Sequence, residues 1–313
     1  MTDKINGVDF ENALKLAKKF LPKVSRSKVA IPAPGMGEGS WVGAPSAIES
    51  DGHIYLAYRS RRPIGSGRGQ GVVIAKSKDG FTFETINMIP KEAMDAASLE
   101  RPTLVKVDDK TWRLYLSCAT MGTKHWRVEM IEASRPEDFD PVNRRMILPG
   151  SKKWAVKDTV IQKNNGKWDM WATFHPLDIK YEEDRMHTRY ANSTDGINWK
   201  WSAGAALTPR QGKWDARGAR VAAVYQTKGM VIAFYDGRAS AAEDKVERTG
   251  IAVGIRPDKL VGIGENVFAE SPYHRTLRYM DITNLKNGNF RTYYEIATDD
   301  QSHELRTELI KLK

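Results

Sequence analysis

Acidic residues recur beside arginine along this chain of 313 residues. Glu100-Arg101, Asp215-Ala-Arg217, Asp236-Gly-Arg238 and Glu247-Arg248 are such pairs, Asp158 follows Lys157, and Arg59-Ser-Arg61-Arg62 is wholly basic. A carboxylate can give or take a proton or face a developing positive charge. A guanidinium is a planar fork of donors suited to carboxylate, phosphate or sugar hydroxyls. Charges gathered in one channel are costly unless they pair or meet a ligand. Structural pairing accounts for a few of these groups; a set this large points to a site. His175 and His274 stand among them, each able to serve as ligand or as structural imidazole.

A repeat decides which elements carry these residues. Five segments share one pattern: a short apolar strand, a two-residue turn, and a second strand rich in aromatics. The turns are Asp51-Gly52, Asp108-Asp109, Asn165-Gly166, Lys228-Gly229 and Asn287-Gly288. Asn-Gly and Asp-Gly allow the positive φ of a tight hairpin. Anchors on the second strands at Tyr55, Trp112, Trp168, Val231 and Arg291 lie 57, 56, 63 and 60 residues apart by difference of number. That period leaves room for two more strands per unit, a four-stranded blade. The near-copies Ser77-Lys-Asp-Gly-Phe-Thr-Phe83 and Ser193-Thr-Asp-Gly-Ile-Asn-Trp199 mark the turn between third and fourth strands, with Ala133 to Phe139 at the same station.

The expected fold is therefore all-β, a five-bladed β-propeller with a short N-terminal helical extension. The extension is read over residues 1–29, and the blades over about 41–92, 98–150, 154–209, 213–270 and 271–313, the last closed by a strand within 28–33. In such a ring the start of each first strand and the end of each second strand open on one face. The acid–arginine stations fall at those places, so the topology would gather them around the axis.

Composition narrows the field. A hydrophobic share of 41% and 28% charged residues are ordinary for a globular chain. Nine tryptophans suit all-β cores and sugar clefts, where a flat apolar face stacks on a pyranose. Net charge is +10, which favours anions in general, but no long Lys/Arg run or recognition helix argues for nucleic acid as partner. Cys118, the lone cysteine, excludes an internal disulfide and sits in an apolar strand as a buried thiol. The Gly65–Gly71 stretch leads into a strand rather than a helix, so it is a connection over the pocket mouth and no dinucleotide loop. No zinc-ligand spacing occurs. No cofactor is required, although a structural cation on the axis is compatible with the ring. Without a signal-peptide core or membrane-length apolar run, the chain reads as cytoplasmic with no membrane partner.

Over about residues 40 to 313 the sequence resembles the five-bladed propeller glycosidases, the group of arabinanases, β-xylosidases, invertase-like enzymes and mannoside phosphorylases. The blade pattern, the Ser-x-Asp-Gly-x-x-aromatic hairpins and the acids where first strands begin carry the likeness. The run Lys157 to Trp168 is similar to the third blade of the phosphorylase-like members. The resemblance implies a glycoside hydrolase-like enzyme with Glu100 and Asp158 as central carboxylates and Asp236 as a third. The charged strand-end stations would set Arg59, Arg61, Arg101, His175, Asp215, Arg217, Arg238, Glu247, Arg248 and His274 around a carbohydrate, which is neutral, anionic or accompanied by phosphate. One position departs: arabinanase-like members have an acidic base before Pro-Ser in the first blade, where this chain has Ala44. Phosphorolysis, with arginines holding the attacking phosphate, and carbohydrate binding without cleavage are the alternatives.

Overall fold

The computed structural model describes residues 4–5, 8–227 and 229–312. A two-stranded ribbon, β1 (Lys4–Ile5) and β2 (Val8–Asp9), leads into helix α1 (Phe10–Phe20). Asp9 caps that helix through a bond to the Asn12 amide, 3.2 Å. After β3 (Lys28–Ile31) come five antiparallel meanders. The first is β4 (Trp41–Ser50), β5 (His53–Arg61), β6 (Gly69–Ser77) and β7 (Glu84–Pro90). The second is β8 (Ala96–Asp108), β9 (Thr111–Thr120), β10 (Trp126–Ala133) and β11 (Arg145–Leu148). The third is β12 (Trp154–Asn164), β13 (Lys167–Pro176), β14 (His187–Ser193) and β15 (Lys200–Trp201). The fourth is β16 (Gly218–Thr227), β17 (Met230–Arg238), β18 (Arg248–Arg256) and β19 (Lys259–Ile263). The fifth has β20 (Leu277–Asn284), β21 (Phe290–Ala297) and β22 (His303–Ile310), and β3 pairs antiparallel with β22 as its outermost strand. Lys228, in the fourth hairpin turn, and residues 1–3 and 6–7 of the extension lie outside the described residues.

This is a β-propeller. Five apolar clusters form its core, one in each gap between neighbouring meanders. The apolar stripe of α1 (Ala13, Ala17, Phe20) fills the gap between the fourth and fifth, with the Phe20 ring 4.9 Å from that of Tyr225 and 5.2 Å from that of Phe290.

The Ser-x-Asp-Gly turns do more than reverse the chain. Asp195 Oδ1 accepts from the amides of Ile197 and Asn198, each at 2.8 Å, and the Gly196 carbonyl accepts from Tyr115 of the preceding meander at 2.9 Å. Gly196, at φ +73°, lies so close to the Trp168 ring that a Cβ there would stand 2.9 Å from it. The equivalent turn at Gly80 docks on Tyr293 of the fifth meander in the same way, 2.8 Å. Each copy thus fastens two blades together.

Candidate active site

Every first strand breaks register where it begins to line the axis: at Gly43/Ser46, Leu99/Pro102, Lys157/Val160, Val221/Ala223 and Arg278/Asp281. Such bulges insert an extra residue and re-aim side chains. Three of them hold a non-glycine residue in the left-handed region, Ala44 (φ +53°), Asp158 (φ +53°) and Tyr279 (φ +52°). An aspartate tolerates this conformation, whereas a bulky tyrosine there is a genuine outlier held by its surroundings. The bulge also explains how Lys157 and Asp158 both face the centre: Lys157 lines the cavity, and Asp158 lies behind it with the ammonium 3.6 Å from its carboxylate.

The cavity on the face where the first strands begin has a volume of about 450 Å³. Glu100, Arg59, Arg61, Lys157, His175, Arg220, Arg238, Glu247, Arg278 and Tyr279 line it, with Trp126 and Tyr181 supplying aromatic surface. Tyr279 is the hub. The guanidinium of Arg220 lies 3.8 Å from its ring centre, and those of Arg59, Arg278 and Arg101 at 5.1, 5.4 and 5.9 Å. Its hydroxyl is 3.3 Å from Asp158 Oδ2, and its amide donates to Asp236 at 3.1 Å.

Around this hub acids and bases alternate. Arg59 bonds Glu100 on one side and Glu295 Oε2, 2.9 Å, on the other. Arg278 joins Glu295, 2.8 Å, to Glu247. Arg220 reaches Asp236 at 2.9 Å, Asp158 at 3.3 Å and Glu247 at 3.8 Å. Arg238 reaches Glu247 at 3.0 Å. Gly43 is required here: a Cβ would sit 1.7 Å from Glu295 Oε2, so only glycine lets that carboxylate reach Arg59.

Burial raises the Glu100 carboxyl, but Arg59, with Lys157 and Arg61, outweighs it and holds Glu100 well below the usual carboxylate range. Asp158 is also lowered: burial opposes ionisation, and Lys157 and Arg220 overcome it. Asp236 goes the other way, pushed up to about 6 by burial despite Arg220, with Glu247 adding to the rise. Burial brings His175 down to about 3, so the ring is neutral; its Nδ1–H donates to the Glu183 carbonyl at 2.9 Å, leaving Nε2 as an acceptor without a protein partner. Arg61 falls to about 10, through burial and the repulsion of Arg59, Arg68 and Arg278, with Glu100 opposing. One Asp158 oxygen, Oδ1, is likewise unpartnered.

The expected site residues divide accordingly. Glu100, Arg59, Arg61, His175, Arg238 and Glu247 line the cavity, while Asp158 and Asp236 stand directly behind Arg220 and Tyr279. Five others are placed elsewhere. Arg101 turns toward a second cavity at the other end of the axis, near Asp281, and donates to the Ala222 carbonyl at 2.5 Å. Asp215 is tied to Tyr235, 2.7 Å, and to Arg210, 2.9 Å, within the fourth meander. Arg217 forks onto Asp184 at 2.7 and 2.9 Å. Arg248 meets Glu243 at 2.5 Å. His274 is exposed and donates to the Asp299 carbonyl. No role was expected of Tyr279, Glu295, Arg220, Arg278 or Lys157. The last three occupy the same bulge station as Glu100, and Glu295 announces itself only through Gly43. An axial cation is opposed by the guanidiniums of Arg101 and Arg220 at the centre, and no cluster of three or more His, Cys, Asp or Glu suited to a metal occurs among the described residues.

No family model matches the chain, and no curated protein matches it by sequence. Solved structures do. A glycosyl hydrolase from Bacteroides ovatus is 17% identical with a TM-score of 0.62, over 92% of this chain and 95% of that one. The GH43_1 enzyme from Xanthomonas citri, solved with xylotriose, is 12% identical with a TM-score of 0.65, over 97% and 94%. The β-1,2-mannobiose phosphorylase from Listeria innocua, solved with β-1,2-mannobiose, is 14% identical with a TM-score of 0.60, over 92% of each chain. At these identities the likeness establishes the fold: the chain folds as do the β-propeller glycoside hydrolases and mannoside phosphorylases.

Proposed function

We propose that this protein cleaves a glycosidic bond in the cavity around Tyr279, as a glycoside hydrolase-like enzyme. The observation that carries the reading is the pairing, at one bulge-built centre, of an ionised lining carboxylate, Glu100, with a second ionised carboxylate, Asp158, that keeps one oxygen free. Trp126 and Tyr181 give the cavity aromatic surface, each with a lysine ammonium over one face at 4.5 and 4.7 Å, and His175 Nε2 accepts from a hydroxyl. As water attacks the anomeric carbon and the glycosidic bond breaks, Glu100 faces the positive charge that develops there. Asp158, behind Tyr279, takes up the water's proton, and Asp236, raised to about 6, is the carboxyl that supplies a proton to the leaving oxygen. Ala44 offers no base of its own.

Phosphorolysis is the second reading, favoured by charge. The lining carries nine cations, Arg59, Arg61, Arg68, Lys124, Lys157, Arg220, Arg238, Lys245 and Arg278, against five acids, Glu100, Glu183, Asp184, Asp244 and Glu247. Such an excess attracts an anion, whether phosphate or an acidic sugar.

A screen of aryl glycosides and oligosaccharides, with and without phosphate, tests both. Asp158→Asn keeps a residue at home in the left-handed region, and Glu100→Gln keeps volume; each is expected to lower kcat about 100-fold or more while thermal unfolding stays cooperative. Full turnover by both variants overturns the assignment. Release of a sugar phosphate selects phosphorolysis.

A further inference from the structure

A second charged feature lies far from the cavity. Third strands begin on the cavity face and end on the opposite one, and there the end of β22, the residues after α1 and the turn at Phe81 enclose a groove of about 630 Å³. Lys19, Lys23, Arg26, Lys28, Arg291 and Lys311 line it. The one carboxylate among them, Glu308, is already engaged by the Lys23 amide, 2.5 Å, and Tyr294, 3.2 Å. Among the described residues Lys23, Arg26, Lys28 and Lys311 make no ion pair, and Lys19 only donates to the Leu312 carbonyl, 2.5 Å. In the catalytic cavity, by contrast, Arg59, Arg220, Arg238 and Arg278 are each held by acids. The exposed Lys15 and Lys18 extend the groove's charge along α1.

We propose that this groove binds an acidic polysaccharide chain. The cations come from successive segments: the end of α1 (Lys19), the residues after it (Lys23, Arg26), β3 (Lys28), β21 (Arg291) and the residue just past β22 (Lys311). A groove of about 630 Å³ edged by so many separate charges suits a polymer of repeated charges better than a single small anion. A flat bilayer would meet the ridges and not the floor. Single-stranded nucleic acid needs open aromatic faces to stack its bases. The groove's one aromatic, Phe81, has the Lys28 ammonium over its ring at 4.1 Å. The surface is independent of whatever reaction the cavity performs, and its test reads binding rather than turnover.

The probe is polygalacturonate of defined length, its affinity for the full chain measured over a salt series. Tight binding at low salt, falling steeply with ionic strength, is expected. The triple variant Lys23→Glu, Arg26→Glu, Lys28→Glu should weaken it about tenfold or more, and the milder Gln triple should weaken it less, with unchanged circular dichroism. Lys152→Glu, Lys153→Glu, Lys200→Glu changes net charge equally on exposed sites elsewhere and should leave affinity within about twofold. Equal weakening by both Glu triples would show a diffuse charge effect and overturn the groove. So would tighter binding to single-stranded DNA, or to phosphatidylglycerol vesicles, than to polygalacturonate.

Discussion

Glu295 and Gly43 show how far one atom reaches in this site. Glu295 is fully buried, accepts from Arg59, Arg278 and the His303 ring, and is lowered because the Arg278 and Arg59 guanidiniums, helped by the His303 hydrogen bond, outweigh its burial. Its position depends on the missing Cβ of Gly43. Gly43→Ala would force the carboxylate off Arg59 or shift a strand that cannot yield freely, since β4 is paired with β5 on one side and touches β22 on the other. Overpacking of this kind costs about 1–3 kcal/mol. A buried guanidinium would also lose a partner. We expect a destabilisation of about 2–4 kcal/mol in urea titrations, with the m-value unchanged. A change below about 0.5 kcal/mol would show that Glu295 relocates without cost.

At the scale of elements, the ring depends on how its ends meet. β22 bonds β21 along one edge and β3 along the other, and touches β4 at His303 and Trp41. Removing residues 304–313 takes away nearly all of β22, strips β3 of its partner and leaves two edges unpaired. The expected result is loss of a single cooperative thermal transition and aggregation; a truncated chain that unfolds cooperatively near the original temperature would show that closure is dispensable. The hairpins were legible because Asp51-Gly52 and Asn165-Gly166 spell out positive φ in their residue types, and the structure gives φ of +52°, +71°, +50° and +77° there. The bulges were not, because Tyr279 takes its left-handed conformation from tertiary contacts that override its preference. Without the bulges, strict alternation would have sent Lys157 and Asp158 to opposite faces. Arg248 and Arg217 were misplaced for a related reason: the connection after β17 makes a short turn at Ala241–Glu243, which puts Glu243 on Arg248, while Arg217 is drawn to Asp184 across the meander boundary. Neighbours in sequence said nothing of these partners.

The whole molecule carries its buried charges in two opposed sets, and pH should separate them. Asp236 and Asp281 are each raised to about 6, by burial that Arg220 and Arg101 only partly offset. The folded state therefore binds protons that the unfolded chain releases, and these two groups add stability as pH falls from about 6 toward 4. His175 and His303 are lowered to about 3 and about 4, chiefly by burial. The unfolded chain takes up their protons first, so they remove stability as pH falls from about 6.5 toward 4. Across that window the two sets oppose each other, and stability should be nearly flat. Below about 4 the lowered carboxylates Glu100, Asp158, Glu247 and Glu295 are protonated more readily in the unfolded chain, and stability should drop steeply. Asp281→Asn isolates the effect. Asp281 faces Arg101 and Thr283 and accepts from the Ala47 amide in the cavity opposite the one around Tyr279, so the amide removes a titrating group without touching the proposed chemistry. In wild type, unfolding free energy from urea curves should vary little between pH 6.5 and 4. In the variant the histidines lose half of their opposition, and stability should decline steadily over the same range. Parallel pH profiles would mean that Asp281 titrates alike in both states and that its burial is not what sets its proton affinity.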